Sequence, residues 1–450
     1  MYNTNHTSLA LALIALAMIS SHTHGQSIYT PYAFTNLAGL PGVTGADDGT
    51  GAAARFQNPE GATVDALGNV YVVDHGNHTI RKITPAGVVT TVAGLPGVRE
   101  PLGADGTGSE ARFNFPTGVA VDTNGNLYVT DRLNSTIRKL TPDGTNWVVT
   151  TIAGSAGQAS SADGTGSAAR FFSPTGVAVD RQGNLFVTDF GNETIRRIMP
   201  EGTNWVVSTI AGAVGQSGSA DGIGIAARFY VPAGIVVDSS NRVYVADQYN
   251  HALRKITYDG VNWVVSTIAG YAAEPGSADG NGDAARLALP YGLAVDSHGS
   301  IFVTDFGNST IRKLTPDGTN WVVTTIAGSA GQFSSDDGSG AAARFHYPQG
   351  VAVDRAGNVY VVDTKNHRVT KGTPLLLFDT STGRLTVSND LFQVRLIGPY
   401  GRNAVVEASP NLQAWAPIQT NALPSGGLNI SVQVGTNQHQ FFRAYLEPAP

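Results

Sequence analysis

The stretch S-P-T-G-V-A-V-D-R-Q-G-N-L-F-V-T-D-F-G-N-E-T-I-R-R-I, residues 173–198, recurs six times in this chain of 450 residues, with small changes each time. Every copy contains a P-x-G triplet, and the prolines of these triplets are Pro59, Pro116, Pro174, Pro232, Pro290 and Pro348. Successive prolines are separated by 57 residues once and by 58 residues four times. A period this regular indicates an array of one repeated structural unit.

Each repeat carries the signals of four short β-strands. In the copy quoted above, V-A-V-D leads into a D-x-x-G turn, L-F-V-T-D into a G-N turn, and T-I-R-R-I into a P-E-G-T-N turn. The run W-V-V-S-T-I-A-G follows as a fourth strand. Short strands separated by turns of Gly, Asn and Pro are typical of antiparallel hairpins. Four such strands per unit form the blade of a propeller, so the chain is predicted to be all-β with six blades.

The fourth strand is present only five times, at residues 88–94, 148–154, 206–212, 264–270 and 322–328. The sixth repeat ends near residue 374 without one, and A-F-T-N-L-A-G at residues 33–39 has the same pattern. We therefore predict that the N-terminal strand completes the sixth blade. This would close a six-bladed propeller over residues 32–373 and remove two open sheet edges.

Composition and the N-terminal segment limit the classes of function. The chain has no cysteine and a net charge of −6, which excludes disulfides and thiolate metal sites and argues against a nucleic-acid partner. Residues 9–19 are an apolar run too short to span a bilayer, followed by small residues. This pattern predicts a secretory signal peptide over residues 1–25. We expect a monomer without a membrane span that is secreted, periplasmic or at the cell surface.

The pattern P-x-G-V-A-V-D-x-x-G-N-L-Y-V-x-D-x-x-N-x-x-I resembles the NHL repeat, with its Asn-His pair at Asn77 and His78 and again in two later copies. The resemblance implies a six-bladed propeller, a fold that also carries lyases, sensors and binding surfaces. After Pro374 the repeat stops, and alternating apolar residues predict a small β-sandwich over residues 376–450. Residues 405–415 resemble a C-terminal module of secreted bacterial proteins.

The connections between repeats are about twenty residues long, and they share one face of the predicted propeller. On this face, the positions that differ between copies are the candidates for ligand binding at the pore mouth. These positions are His75, Arg132, Phe190, Gln248, Phe306, Tyr230, Tyr291, His346 and Tyr347. Aromatic side chains mixed with single polar groups suit a peptide or a sugar. The alternative is neutral variation at exposed loop positions.

Of the charged columns that are identical in all six copies, we predict that two pair with each other. The arginines follow the D-G-x-G loops and are Arg55, Arg112, Arg170, Arg228, Arg286 and Arg344. The aspartates end the second strands and are Asp74, Asp131, Asp189, Asp247, Asp305 and Asp363. A ring of bidentate ion pairs would lock each loop to its blade. The alternative is an anion-binding crown.

Other repeated residues are predicted to be structural. The aspartates that end the first strands could hold Ca²⁺ at the pore, but their D-x-x-G-N setting favours hydrogen bonds within their own turns. They are Asp65, Asp122, Asp180, Asp238, Asp296 and Asp354. His78, His251 and His367 share one column on separate blades, so they are not expected to converge on zinc. Four tryptophans that open fourth strands are expected to seal blade against blade. No metal ligand or cofactor is predicted, and Ca²⁺ in the pore is left open.

These observations favour a secreted, non-enzymatic binding or scaffold protein that recognises a protein, peptide or glycan through its long-loop face. The alternative is a metal-dependent lyase or a lactonase-type hydrolase with its site in the propeller pore. An enzyme requires unlike residues that converge on one reacting atom. The strong symmetry of the repeats favours binding over catalysis.

Overall fold

The computed structural model describes residues 32–100, 102–379, 385–388, 391–398, 402–409, 415–424, 427–433 and 441–447. The predicted signal peptide lies outside these residues. The helices of the described part are 3₁₀ turns of three residues, and none is long or apolar enough to cross a membrane.

Between residues 32 and 374, the described chain forms six antiparallel sheets, which are the blades of a β-propeller. The innermost strands contact one another in turn, and the last of them contacts the first, so the ring is closed. These innermost strands are Ala62–Val64, Pro116–Val121, Pro174–Val179, Pro232–Val237, Pro290–Val295 and Val351–Val353. The second strands are Val70–Asp74, Leu127–Asp131, Leu185–Asp189, Val243–Asp247, Ile301–Asp305 and Val359–Asp363. The third strands are Thr79–Ile83, Thr136–Asp143, Thr194–Glu201, Ala252–Tyr258, Thr310–Asp317 and Arg368–Pro374.

Each blade has five strands, one more than the four predicted. The fourth strands are Val88–Ala93, Asn146–Gly154, Asn204–Ala211, Trp263–Gly270, Asn320–Ala327 and, for blade 6, Tyr32–Ala38. The additional edge strands are Gly49–Thr50, Gly106–Thr107, Gly164–Thr165, Gly222–Ile223, Gly280–Asn281 and Gly338–Ser339. They arise because the long loop that leads into each blade passes along the blade's outer edge. There it forms hydrogen bonds with backbone groups of the fourth strand that would otherwise have no partner.

The predicted closure is confirmed: Tyr32–Ala38 pairs with Arg368–Pro374 and completes blade 6. This pairing differs from its five counterparts at one place. In the other blades an Ile or Leu of the third strand stands opposite a Val of the fourth, whereas Gly372 stands opposite Phe34. A Cβ atom on Gly372 would come within 2.5 Å of the Phe34 ring, which packs edge-on against Phe345. In blade 6 the large side chain is therefore on the fourth strand and the small one on the third, the reverse of the other blades. This difference makes the N-terminal strand specific for blade 6.

Aromatic contacts seal neighbouring blades, as predicted for the tryptophans. Trp147 of blade 2 packs edge-on against Tyr71 of blade 1, with ring centroids 5.7 Å apart. The same contact joins blades 2 to 5, through Tyr128 with Trp205, Phe186 with Trp263, and Tyr244 with Trp321. These pairs bury large apolar surfaces between the outer parts of the blades.

Around the pore, the glycine of each P-x-G triplet lies against a backbone carbonyl of the next blade. A Cβ atom on Gly292 would lie 2.0 Å from the carbonyl oxygen of Gln349. The hydroxyl of Thr304 donates a hydrogen bond of 2.7 Å to the same oxygen. The innermost strands thus approach more closely than a side chain permits, which explains why this glycine recurs in every repeat.

The tail forms two further sheets. Leu377–Asp379, Leu385–Ser388, Leu391–Ile397 and Leu428–Gln433 form one, and Asn403–Ser409, Ala416–Ala422 and Phe441–Leu446 form the other. Apolar side chains from both sheets share one core, as a small β-sandwich requires. Arg402 donates a hydrogen bond to the carbonyl of Ala356, which links this unit to blade 6.

The exchange between Phe34 and Gly372 predicts a rescue. Phe34→Val alone leaves a cavity and is expected to lower the free energy of unfolding by about 2–3 kcal/mol. Gly372→Leu alone forces a clash and is expected to lower it by about 1–3 kcal/mol. The double variant recreates the Leu–Val pair of blade 2. Its loss of unfolding free energy, measured by thermal melting, should therefore be smaller than the sum of the two single losses. Purely additive losses would contradict this account of closure.

The central glycines give a second prediction. Gly292→Ala is expected to lower the free energy of unfolding by at least about 3 kcal/mol, because its Cβ atom meets backbone of the next blade. Gly144→Ala is the matched control: its φ is +59° and nothing lies within 4 Å of the added atom. At residue 144 the alanine meets no neighbour, and only its left-handed backbone conformation costs about 1–2 kcal/mol. Equal losses of melting temperature in the two variants would refute the close approach at the pore.

Candidate functional site

The long-loop face is held in place by one buried arginine in the third strand of each blade. In blade 3, Arg196 donates a hydrogen bond of 2.7 Å to Asp189 at the end of the second strand. Its other terminal nitrogen donates a hydrogen bond of 2.7 Å to Asp163 in the long loop and one of 2.9 Å to the carbonyl of Ala162. The guanidinium also lies 5.0 Å above the ring of Phe171. The loop, the strand end and the hairpin are thereby fastened at one point.

The same ion pair to the strand-end aspartate occurs in all the blades. The arginines that form it are Arg81, Arg138, Arg196, Arg254, Arg312 and Arg368, and each is almost wholly buried. The predicted pairing of these aspartates with the loop arginines is therefore wrong.

The register of the hairpin explains the correction. Asp189 stands opposite Thr194, so Arg196, two residues further along, projects from the same side of the sheet as Asp189. The loop arginines follow 3₁₀ turns and bond to the carbonyl of the residue that ends each turn, as Arg170 does to Ala169. The six loop residues with this role are Arg55, Arg112, Arg170, Arg228, Arg286 and Arg344.

The other charged columns have local roles. Asp180 accepts hydrogen bonds of 2.9 and 2.8 Å from the backbone of Gln182 and Asn184 in its own turn, and each of its counterparts accepts the second of these bonds. Within the part of the chain that the structure describes, no three or more acidic or histidine side chains are grouped to hold a metal. Ca²⁺ in the pore stays a prediction.

The three histidines of the Asn-His pairs each bridge two blades. The Nδ1 atoms of His78, His251 and His367 accept a hydrogen bond of 3.1 Å from a backbone N–H of the next blade. In blade 5 the hydroxyl of Ser309 accepts the corresponding bond. Burial, aided by the charges of Arg99 and His75, lowers the pKa of His78 to about 4. At neutral pH these rings are therefore uncharged acceptors, which supports their structural interpretation.

At the pore rim, the middle residues of the P-x-G triplets form a ring. They are Glu60, Thr117, Thr175, Ala233, Tyr291 and Gln349. The channel beneath them, lined by the triplet glycines and by valine and leucine side chains, has a cavity of about 60 Å³. That volume holds a few water molecules, whereas ligand pockets are typically about 300–1,000 Å³. A ligand of sugar or peptide size must therefore bind at the mouth and not within the channel.

A polar cluster, formed by Glu60, His75 and Tyr291, lies at this mouth. The Tyr291 hydroxyl of blade 5 donates a hydrogen bond of 3.2 Å to Glu60 of blade 1, so the contact spans the rim. His75 Nδ1 lies 2.9 Å from the carbonyl of Pro116 and 3.3 Å from the Glu60 carboxylate. Because a carbonyl can only accept, His75 Nδ1 carries the proton.

Glu60 is only 7% exposed, and its environment acts on its charge in two directions. Burial raises the pKa of this carboxyl, while the charges of His75, Arg132 and Lys365 and the hydrogen bond from Tyr291 act to lower it. Burial also raises the pKa of the Tyr291 hydroxyl well above its usual value, with the nearby Glu60 acting in the same direction. Tyr291 therefore keeps its proton across the neutral range and donates a hydrogen bond to Glu60.

Arg132 of blade 2 lies beside this cluster. Its guanidinium carbon is 5.0 Å from the centre of the Phe190 ring of blade 3. In the described chain it makes no ion pair, and its Nε is buried without a hydrogen-bond partner. The guanidinium is thus positioned by stacking alone and keeps its hydrogen-bonding capacity.

Four rings on blades 5 and 6 form an aromatic platform: Phe306, Tyr347, His346 and Phe333. Phe306 stacks on Tyr347 with centroids 4.8 Å apart and planes inclined by 23°. Phe333 lies 5.4 Å from Tyr347 and 5.5 Å from His346, and it is 48% exposed. Tyr291 lies 6.2 Å from Phe306, so the platform is continuous with the polar cluster.

The structure groups most, but not all, of the candidate residues. Gln248 is buried on blade 4, and Tyr230 packs edge-on against Tyr249 of the same blade, 5.1 Å away. Neither has a ring contact or hydrogen bond to the platform or the polar cluster within the described residues. Phe333 was not predicted, although a comparison of S-A-G-Q-F with S-A-G-Q-A in the earlier loop shows that only this copy carries an aromatic residue.

Comparisons with known proteins agree with this architecture. Residues 147–336 match the Teneurin NHL domain, and residues 56–83, 113–140 and 345–371 match the NHL repeat. NHL repeat-containing protein 2 of Bos taurus is 28% identical over 342 residues, which cover 69% of this chain and 46% of that protein. The chain therefore spans about half the length of that relative.

Two solved structures are similar over about three quarters of the chain. An auxiliary nutrient binding protein from Bacteroides ovatus ATCC 8483 has a TM-score of 0.57 at 19% identity, covering 77% of this chain and 78% of its own. A protein of unknown function from Bacteroides thetaiotaomicron VPI-5482 has a TM-score of 0.57 at 23% identity, covering 76% of each chain. At these identities the likeness bears on the fold alone. The fold and the repeat matches together define a β-propeller that contains NHL repeats.

The bridging histidines predict a pH dependence of stability. An unfolded histidine has a pKa near 6.5, so the unfolded chain takes up more protons than the folded one as the pH falls from 6.5 towards 4. The stabilisation that the uncharged histidines give the folded state is therefore complete above about pH 6.5, and it is lost as the pH falls towards 4. Replacing all three histidines by serine, as in blade 5, should reduce the fall in melting temperature between pH 7 and pH 4.5. An unchanged pH dependence in the triple variant would contradict the bridging role.

Proposed function

We propose that this protein is a binding protein that recognises a glycan at the pore mouth on its long-loop face. The observation that carries the proposal is the aromatic platform beside the polar cluster. Sugar rings present apolar C–H faces that pack on aromatic rings, and their hydroxyls require donors and acceptors at the edge. The expected export to the periplasm, cell surface or medium is part of the same proposal.

Unsatisfied polar atoms on blade 6 support a ligand with many hydroxyl groups. The side-chain oxygens of Gln349 and Thr364 are buried and have no hydrogen-bond partner among the residues that the structure describes. Gln349 belongs to the pore rim, and Thr364 follows the second strand on the same face. Buried polar atoms nearly always have a partner, so water or ligand hydroxyls are expected at these two atoms. A hydroxyl can donate to Gln349 and either donate to or accept from Thr364.

A lyase or hydrolase acting at the same mouth is the second candidate. The observation that favours it is the convergence of unlike residues, since Glu60, His75 and Tyr291 meet at one place and burial raises the pKa of Glu60. Against it, both carboxylate oxygens of Glu60 are already engaged and the side chain is 7% exposed. Holding the rim together through its hydrogen bonds is therefore a better supported role for Glu60 than proton transfer to a substrate.

The platform predicts the effect of losing its rings. Phe306→Ala and Tyr347→Ala should each weaken glycan binding about tenfold, since aromatic contacts of this kind contribute about 0.5–1.5 kcal/mol beyond the area they bury. Binding would be found on a glycan array and then measured by calorimetric titration with one positive oligosaccharide. Tyr258→Ala is the control, because this tyrosine is 54% exposed on the opposite face.

The two outcomes are distinct. Loss of affinity in the platform variants, with an unchanged melting temperature and an unaffected Tyr258→Ala variant, supports the proposal. An array without a single bound glycan would contradict it, as would full affinity in both platform variants.

A further inference from the structure

We propose that the glycan bound at the pore mouth carries a carboxylate, as a uronic acid does, and that Arg132 binds this group. The inference rests on the proposed function and names the class of ligand for the same site. Arg132 differs from the buried arginines of the blades in its charge partners.

Every buried arginine of the third strands is paired with two carboxylates, as Arg138 is with Asp131 and Asp105. Arg132, only six residues earlier in the chain, faces the pore mouth and has no carboxylate partner among the described residues. Its guanidinium is nevertheless held in a defined place on the Phe190 ring, 5.0 Å from the ring centre. A guanidinium that is stacked but makes no ion pair keeps the N–H donors of its terminal nitrogens for a planar, bidentate partner.

The charge around Arg132 also calls for an anion. Lys365 reaches the rim from blade 6, where its Nζ donates a hydrogen bond of 3.2 Å to Asn58. Arg99, in the loop before blade 2, lies 5.6 Å above the ring of Phe115. The acidic residue of the polar cluster, Glu60, is buried and already bonded to Tyr291 and His75. Arg132, Lys365 and Arg99 thus place three basic side chains around a carboxylate that is already engaged.

A carboxylate on a sugar fits these groups better than an isolated anion. Arg132 presents one planar fork, which matches the two oxygens of a carboxylate. The unpaired oxygens of Gln349 and Thr364 and the rings of the aromatic platform lie around the same mouth, where they can bind the sugar that bears it. An oligosaccharide that spans the mouth could contact the Arg132 guanidinium with its carboxylate and the aromatic platform with a sugar ring.

The test compares uronate oligosaccharides with their carboxyl-reduced counterparts. Tetramers of galacturonate, glucuronate and mannuronate, together with their neutral reduced forms, would be titrated calorimetrically into wild-type protein at low and high salt. We expect at least one uronate tetramer to bind at least tenfold more tightly than its reduced form, with the preference decreasing as salt rises. Arg132→Gln should abolish the preference, so that the affinity for the uronate tetramer falls to that for its reduced form.

The control variant is Arg181→Gln, which removes the same charge from an exposed turn on the opposite face. It should keep the wild-type preference, and both variants should keep the wild-type melting temperature. Equal affinity for charged and reduced tetramers in the wild type, or a preference that survives Arg132→Gln, would overturn the inference while leaving glycan binding intact. If no tetramer binds and a peptide with a free terminal carboxylate does, the uronate assignment and the glycan proposal both fail.

Discussion

A buried guanidinium in each blade is the interaction on which the long-loop face depends. The third-strand arginine joins the end of the second strand to an aspartate and a carbonyl of the long loop, so one side chain positions a loop that has almost no regular structure. Breaking a buried ion pair of this kind typically costs about 3–5 kcal/mol, because the remaining charge is left without a partner. The propeller can therefore present loops of variable sequence on a face of constant shape.

The repeat architecture was predictable from the sequence because the determining signals are regular. The period gives the number of blades, and the missing fourth strand in the last copy indicates that the first strand of the chain completes it. The edge strands were not predictable, since two residues are too few to show any period. The partner of Asp189 was predicted wrongly because two arginine columns lie near it in sequence, and only the pleat and register of the hairpin decide between them.

The candidate site was predictable in its location and only partly in its arrangement. Positions that differ between copies pointed to the pore mouth, and the structure brings Tyr291, Phe306 and Tyr347 together there. The contact between Glu60 and Tyr291 joins residues 231 positions apart, so it depends on the curvature of the closed ring, which no local pattern reveals. The sequence could not show that Arg132 makes no ion pair either. That follows only once the structure has assigned the partners of the other arginines.

The central claim is that differences between otherwise equivalent blades build a ligand site at the mouth of a pore too narrow to hold the ligand itself. A crystal structure of the protein with a bound uronate oligosaccharide tests it most directly. The account predicts that the carboxylate lies within hydrogen-bond distance of the Arg132 guanidinium and that a sugar ring packs on Phe306 or Tyr347. An oligosaccharide bound elsewhere, for example on the C-terminal sheets or at the outer edge of a blade, would contradict it.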